Sequence, residues 1–147
     1  MARAERKLLE KAQEAVEALE MRYPNLTIRR ETAASASDID WTIPVQPGIR
    51  YEILIYVSGD ELYFDVGGFH SSYFPCDKEE PRARFIDAVT GFIDGRYCVR
   101  EHYRRGICIA AVLGSPNQGS FRGVASWSRL HWPFPRRKEY RILRNVD

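Results

Sequence analysis

Residues 51–66, Tyr51-Glu52-Ile53-Leu54-Ile55-Tyr56-Val57-Ser58-Gly59-Asp60-Glu61-Leu62-Tyr63-Phe64-Asp65-Val66, decide the fold. The first half is dense in β-branched and aromatic residues, which suit a pleated, half-buried surface. Ser58-Gly59-Asp60 reads as a turn, and Glu61 to Val66 resumes the strand pattern, so the stretch predicts a β-hairpin. Strands joined by such short turns lie antiparallel.

Upstream, residues 38–45 place Ile39, Trp41, Ile43 and Val45 on one side, a period of two that predicts another strand. Pro44 confines the end of that strand to an edge or a last rung. Gln46-Pro47-Gly48 is the turn that leads into Tyr51. Residues 26–32 read as a further strand, and the Ala/Ser run 33–37 as a connector or bulge. Before them, Ala4, Leu8, Ala12, Val16 and Leu19 recur at helical spacing and predict an amphipathic helix over 3–22, stopped by Pro24.

Downstream, Gly67-Gly68 ends the hairpin, and residues 68–77 read as a loop. A second helix follows, with Pro81 in its first turn and Asp77, Glu79 and Glu80 near the positive end of its dipole. Phe85, Ile86, Val89, Phe92 and Ile93 form its apolar stripe, and Gly95 is its stop. Residues 96–104 and 107–114 predict a second hairpin about Arg105-Gly106, with the apolar run Ile107 to Leu113 as a central strand covered on both faces. Residues 120–128 and 140–143 add strands, with an irregular, two-proline segment at 129–138 between them. The expectation is one α+β domain over residues 1–147: a mainly antiparallel sheet of about six to seven strands, with two helices packed on one face.

Charge divides the chain unevenly. Residues 1–95 hold 11 Lys+Arg and 17 Asp+Glu, a net of −6, whereas residues 96–147 hold 11 and 3, a net of +8. Three widely spaced cysteines, Cys76, Cys98 and Cys108, do not form a disulfide framework and read as reduced thiols of a cytoplasmic protein. No apolar run reaches the roughly 20 residues of a membrane span.

Candidate chemistry is sparse. His70 lies near Ser71, Ser72 and Cys76, which suggests a small enzyme centred on the 68–77 segment, but neighbours in sequence rarely make a nucleophile–base pair. Cys98, His102 and Cys108 offer three potential zinc ligands on paired strands, without the fourth or any CxxC pair. Asp38 with Asp40, and Glu61 with Asp65, share strand faces and read as solvated surface. Gly67-Gly68 and Gly114 to Gly119 do not match a phosphate loop. Catalytic residues, metal ligands and cofactors are therefore left unassigned.

The C-terminal block carries the most weight. Trp127, Arg129, His131, Trp132, Phe134, Arg136, Arg137, Lys138, Arg141 and Arg144 interleave aromatic and basic groups. Folded back as a clasp, the block sets its arginines against Glu10, Glu14, Glu17, Asp87 and Asp94, and this needs no partner. As a binding face, with Trp127, Arg129, Trp132, Arg136, Arg137 and Lys138 as contacts, it fits an acidic protein or a second copy of the chain. Single-stranded nucleic acid ranks below these, because a pI of about 8.5 is short of the strongly basic footprint such ligands select. The functional expectation is a non-catalytic interaction domain.

Overall fold

The computed structural model describes residues 2–31, 39–117, 120–128 and 139–146. Helix α1 (Ala2–Arg22) precedes strands β1 (Arg29–Glu31), β2 (Ile39–Ile43), β3 (Ile53–Ser58), β4 (Glu61–Val66) and β5 (Phe69–Tyr73). Helix α2 (Glu79–Ile93) leads to β6 (Cys98–Arg104), β7 (Ile107–Asn117), β8 (Ser120–Ser128) and β9 (Glu139–Leu143).

The α+β class and the antiparallel pairing are as expected; the single sheet is not. The described residues form two sheets, a five-stranded meander β1-β2-β3-β4-β5 and a four-stranded sheet in the order β8-β7-β6-β9. All seven strand pairings are antiparallel. Each sheet is built from strands contiguous in sequence, and α2 separates the two groups. In the second sheet the fourth strand returns to lie beside the first, a Greek-key order. The expected loop at 68–77 holds β5: Phe69 and Tyr73 are buried and His70 and Ser72 exposed, an alternation that two serines conceal. The Ala/Ser segment 33–37 lies outside the described residues.

The 51–66 hairpin forms as predicted, from Ile53 paired with Val66 to Ser58 paired with Glu61. Its inward row, Ile53, Ile55, Val57, Leu62, Phe64 and Val66, is at most 1 % exposed. One buried cluster joins these residues to Ala12, Val16 and Leu19 of α1, Phe85, Val89 and Phe92 of α2, and Val99, Ala111, Leu113 and Leu143 of the second sheet. Phe64 meets the Phe69 ring edge-on at 5.7 Å and lies 6.5 Å from Phe92. Gly95 ends α2 with φ +79°, a left-handed conformation that glycine adopts without a Cβ clash.

β7 is central in its sheet, yet it is not covered equally. Ala111 and Leu113 are fully buried, while Ala110 and Val112 on the other face are only partly so and Ile107 is 57 % exposed. Beyond β9, Asn145 ties the C-terminal segment to the rest of the core. Its Oδ1 accepts from the Arg50 N–H at 2.8 Å, and its Nδ2 donates to the carbonyls of Gly48 and Ile93 at 2.8 and 2.9 Å. Among the described residues no helix is long and apolar enough to cross a membrane.

Candidate functional site

Three elements enclose a groove of about 690 Å³. β5 lines it with residues 70–73 and β8 with residues 124–127. Successive residues of a strand point to opposite faces, so an unbroken run along a wall means that the strand edge opens on the groove. Both strands are sheet edges. The third wall is one face of α2, with Glu80, Ala83, Arg84, Asp87 and Ala88 at helical spacing.

The sheets are fastened at one end of the groove around Gly68. Trp127 Nε1 donates to the Gly68 carbonyl at 2.6 Å. The Gly68 N–H donates to Glu101 Oε2 at 2.7 Å, and the Tyr103 hydroxyl donates to the same oxygen at 3.1 Å. Glu101 is 2 % exposed, and its Oε1 lies 4.0 Å from Arg141 Nε. A Cβ at Gly68 would stand 2.7 Å from Cys108 Sγ and closer still to Glu101 Oε2, so the second sheet approaches bare backbone here.

His70 sits on the outward side of β5. Its Nδ1 is 2.6 Å from Asp65 Oδ1, its cross-strand neighbour on β4. The His70 ring stacks on Tyr63 at 5.4 Å, and Tyr63 stacks on Tyr56 at 4.6 Å. Burial raises the Asp65 carboxyl above its ordinary value, with His70 pulling the other way. Burial, aided by the Asp65 carboxylate, pushes the Tyr56 hydroxyl up to about 12.

The concave site and second titratable group that an enzyme centred on His70 requires are thus both present, and Ser72 lines the groove on the same side of β5 as His70, but Ser71 and Cys76 are directed elsewhere. Ser71 Oγ bonds the Phe64 carbonyl and the Tyr73 hydroxyl, at 3.4 and 3.2 Å. Cys76 is fully buried with its Sγ 4.0 Å from the Leu8 carbonyl of α1, and burial pushes its thiol up, away from the reactive thiolate. The pairing Asp65–His70 with stacked tyrosines is a cross-strand ladder of the kind that stabilises a solvated sheet face.

Cys98, His102 and Cys108 do not converge. Cys98 pairs with Gly114, Cys108 faces Gly68, and His102 packs edge-on against Tyr140 at 4.8 Å. Among the described residues no three His, Cys, Asp or Glu side chains form a metal-ligand group. Asp40, Glu61 and Asp65 are partly exposed on the first sheet's outer face; Asp38 lies outside the described residues.

Of the expected binding residues, Trp127 lines the groove, while Arg129, Trp132, Arg136, Arg137 and Lys138 lie outside the described residues, as do His131 and Phe134. Most of the tail cations expected to pair internally lie outside the described residues. Asp94 is held by Arg22 at 2.6 Å, Glu14 by Lys11 at 2.7 Å, and Asp87 by Arg96 at 3.2 Å, whereas Arg141 approaches Glu101. Part of the basic half decorates the second sheet's outer face. There the Arg100 guanidinium lies 4.4 Å from the Phe121 ring and 5.8 Å from the Tyr140 ring. Tyr140 and Ile142 beside it are 59 % and 47 % exposed.

The sequence reading missed Gly68, Glu101 and the α2 face as site elements. A signal existed for Glu101, a carboxylate in step with Val99 on the inward side of a strand. No family model, curated protein or solved structure matches this chain.

Proposed function

We propose that this chain is a non-catalytic interaction domain, and that it holds a segment of a partner protein in the groove between β5, α2 and β8. The observation that carries this reading is the composition of the walls: two strand edges and one helix face surround a cavity of about 690 Å³, within the range of ordinary ligand sites. Trp127 gives the groove a rigid aromatic wall of the kind favoured at contact surfaces. The charged α2 side chains that line the groove have partners, Glu80 with Arg84 at 3.9 Å and Asp87 with Arg96 beyond the helix end at 3.2 Å. A groove whose charged side chains are already paired suits an uncharged segment better than a phosphate or a nucleic acid. One folded domain over 1–147, working in the cytoplasm, belongs to the same proposal, because the three free cysteines suit a reducing compartment.

The test is a two-dimensional NMR screen of the ¹⁵N-labelled chain against short uncharged peptides. The Trp127 indole signal is assigned by its loss in Trp127→Phe. Binding is expected to move that signal together with the amides of residues 70–72 and 83–88. Shifts confined to other surfaces, or none, would overturn the groove as the binding site.

A second reading is favoured by the stacked Arg100. The outer face of the second sheet, with Phe121, Tyr140 and Ile142 around that guanidinium, suits an acidic protein or a second copy whose acidic first sheet meets it. Charge-reversal at Arg100 (Arg100→Glu) is expected to abolish binding to poly-glutamate without moving the groove amides. Affinity for single-stranded oligonucleotides that exceeds affinity for poly-glutamate would replace this reading with the nucleic-acid alternative.

A further inference from the structure

Four strands form the outer edges of the two sheets, and they are not alike. Natural sheets defend their edges with short strands, charges, prolines and bulges, because unpaired N–H and C=O groups invite another strand. β1 is three residues long and wholly charged, Arg29-Arg30-Glu31. β9 carries Glu139 and Arg141, and the β7–β8 pairing contains an irregularity at Leu113/Gly114. β5 has none of these devices: Phe69-His70-Ser71-Ser72-Tyr73 contains no acidic residue, lysine, arginine or proline, and its pairing with β4 is regular.

The register states which groups that edge presents. Gly67-Gly68 is a two-residue turn closed by the pair Val66–Phe69. The residues flanking such a turn exchange hydrogen bonds, and the pattern then alternates along the ladder. Phe69, Ser71 and Tyr73 therefore turn their backbone groups toward β4, and Gly68, His70 and Ser72 turn theirs outward. At Gly68 both outward groups are already taken. Its N–H donates to Glu101 and its carbonyl accepts from Trp127. Side chains of the second sheet thus occupy the place of a neighbouring strand for one residue. At His70 and Ser72 that substitute is missing, and the groove begins there. Among the described residues, no hydrogen bond from outside the sheet reaches the backbone of either.

We infer that the groove's occupant is an extended, uncharged peptide segment of a partner protein, which adds to the first sheet as a sixth strand along β5. Its backbone pairs with the N–H and C=O groups of His70 and Ser72. Alternate side chains of an added strand point to opposite sides. One set meets Ala83, Ala88, Val124 and Trp127, where small or apolar groups fit, and the other set lies beside His70 in solvent. The inference rests on the groove reading above and names its partner class. With Glu80 paired to Arg84 and Asp87 to Arg96, uncharged side chains are the complement.

The experiment begins with phage-displayed random heptapeptides panned against the full chain. The best binder is resynthesised with a single N-methyl group at each backbone nitrogen in turn. N-methylation removes one N–H donor and blocks strand pairing without altering a side chain. Affinity by titration calorimetry is expected to fall at least 10-fold at alternate positions and by less than about twofold at those between, since one good hydrogen bond is worth about a factor of ten or less and a steric block adds to it. On the protein, Ser72→Pro removes an outward donor at a position an edge strand tolerates, and is expected to abolish binding with the circular dichroism spectrum retained. The methyl scan uses the unaltered protein, so it stands whether or not that variant folds. Binding that moves the Trp127 indole signal but shows no alternation in the scan overturns strand addition and leaves the groove reading intact. If no heptapeptide binds and Trp127 never moves, both fall.

Discussion

The inward rows of the two sheets are built to different specifications. In the first, Ile39, Trp41, Ile43, Ile53, Ile55, Val57, Leu62, Phe64, Val66 and Phe69 fill every inward position from β2 to the start of β5. In the second, the inward row includes Val99, Glu101, Ala111, Leu113, Ala125, Trp127 and Leu143, with small residues at its centre and a buried carboxylate among them. The first sheet supplies bulk that the helices cover. The second is thin at the same depth, and what it offers is a fit to the backbone of one turn: Glu101 and Trp127 grip the two sides of Gly68. A face rich in large side chains draws its stability from area buried, about 25 cal/mol per Å². A face of small residues around a buried carboxylate draws it from hydrogen bonds that are costly to leave unmade. The two therefore fail in different ways when altered.

The largest effect is expected from the first sheet. Phe64 is fully buried against Phe69 and Phe92, and Phe64→Ala should cost about 3–5 kcal/mol in urea unfolding, as lost transfer energy and a cavity combine. Ile142 on the second sheet's outer face is 47 % exposed, and Ile142→Ala should stay within about 0.5 kcal/mol. A cost above ~2 kcal/mol at Ile142 would show that this face is covered in solution, and the contrast between the sheets would fail.

Gly68→Ala probes the clasp. The new methyl meets Cys108 Sγ and the Glu101 carboxylate, and moving that carboxylate aside also breaks its bond to the residue 68 N–H. Overpacking of this kind costs about 1–3 kcal/mol. The near-ultraviolet circular dichroism of Trp127 should change with it, since the indole is anchored to the same residue. A cost under ~0.5 kcal/mol with an unchanged Trp127 signal would mean that the two sheets do not depend on this close approach.

The same contrast explains what was legible in the chain. The first sheet is written in period-two alternation of large apolar residues, so β2, β3 and β4 stand out, as do the helices with their 3.6-residue stripes. β5 escaped because Ser71 occupies an inward position where an apolar residue would have completed the pattern. The second sheet's strands were recognisable, but their separation from the first was not, because local pattern says where strands are and not which ones pair. The groove was out of reach for a related reason. Its walls come from residues 70–73, 80–88 and 124–127, and no spacing rule joins them. Trp127 was singled out for its basic surroundings, yet in the structure it donates a hydrogen bond to a backbone carbonyl 59 residues earlier. Asn145 carries no local signal, because its three bonds to Gly48, Arg50 and Ile93 depend wholly on tertiary placement.

The smallest effect concerns pH, and it tests whether the outer face of the first sheet is a structural ladder or a charge device. Burial raises the Asp65 carboxyl above its ordinary 3.8, with His70 opposing. A group whose folded value lies above its unfolded value contributes stability that is complete below the unfolded value and is lost as pH rises through the folded one. Asp65→Asn cannot ionise and lacks that loss. The stability of the native protein minus that of the variant should therefore shrink as pH rises from about 3.8 toward neutrality, read by urea unfolding at stepped pH. A difference that grows with pH would mean that pairing with His70 outweighs burial and holds the carboxylate charged. Repeating the series in a His70→Gln background separates the two causes. Without the imidazole, burial is opposed only by the Tyr56 hydroxyl, and the decline with pH should steepen. If the decline is the same with and without His70, the 2.6 Å contact carries no charge coupling, and the pair serves the sheet only as a neutral hydrogen bond between neighbouring strands.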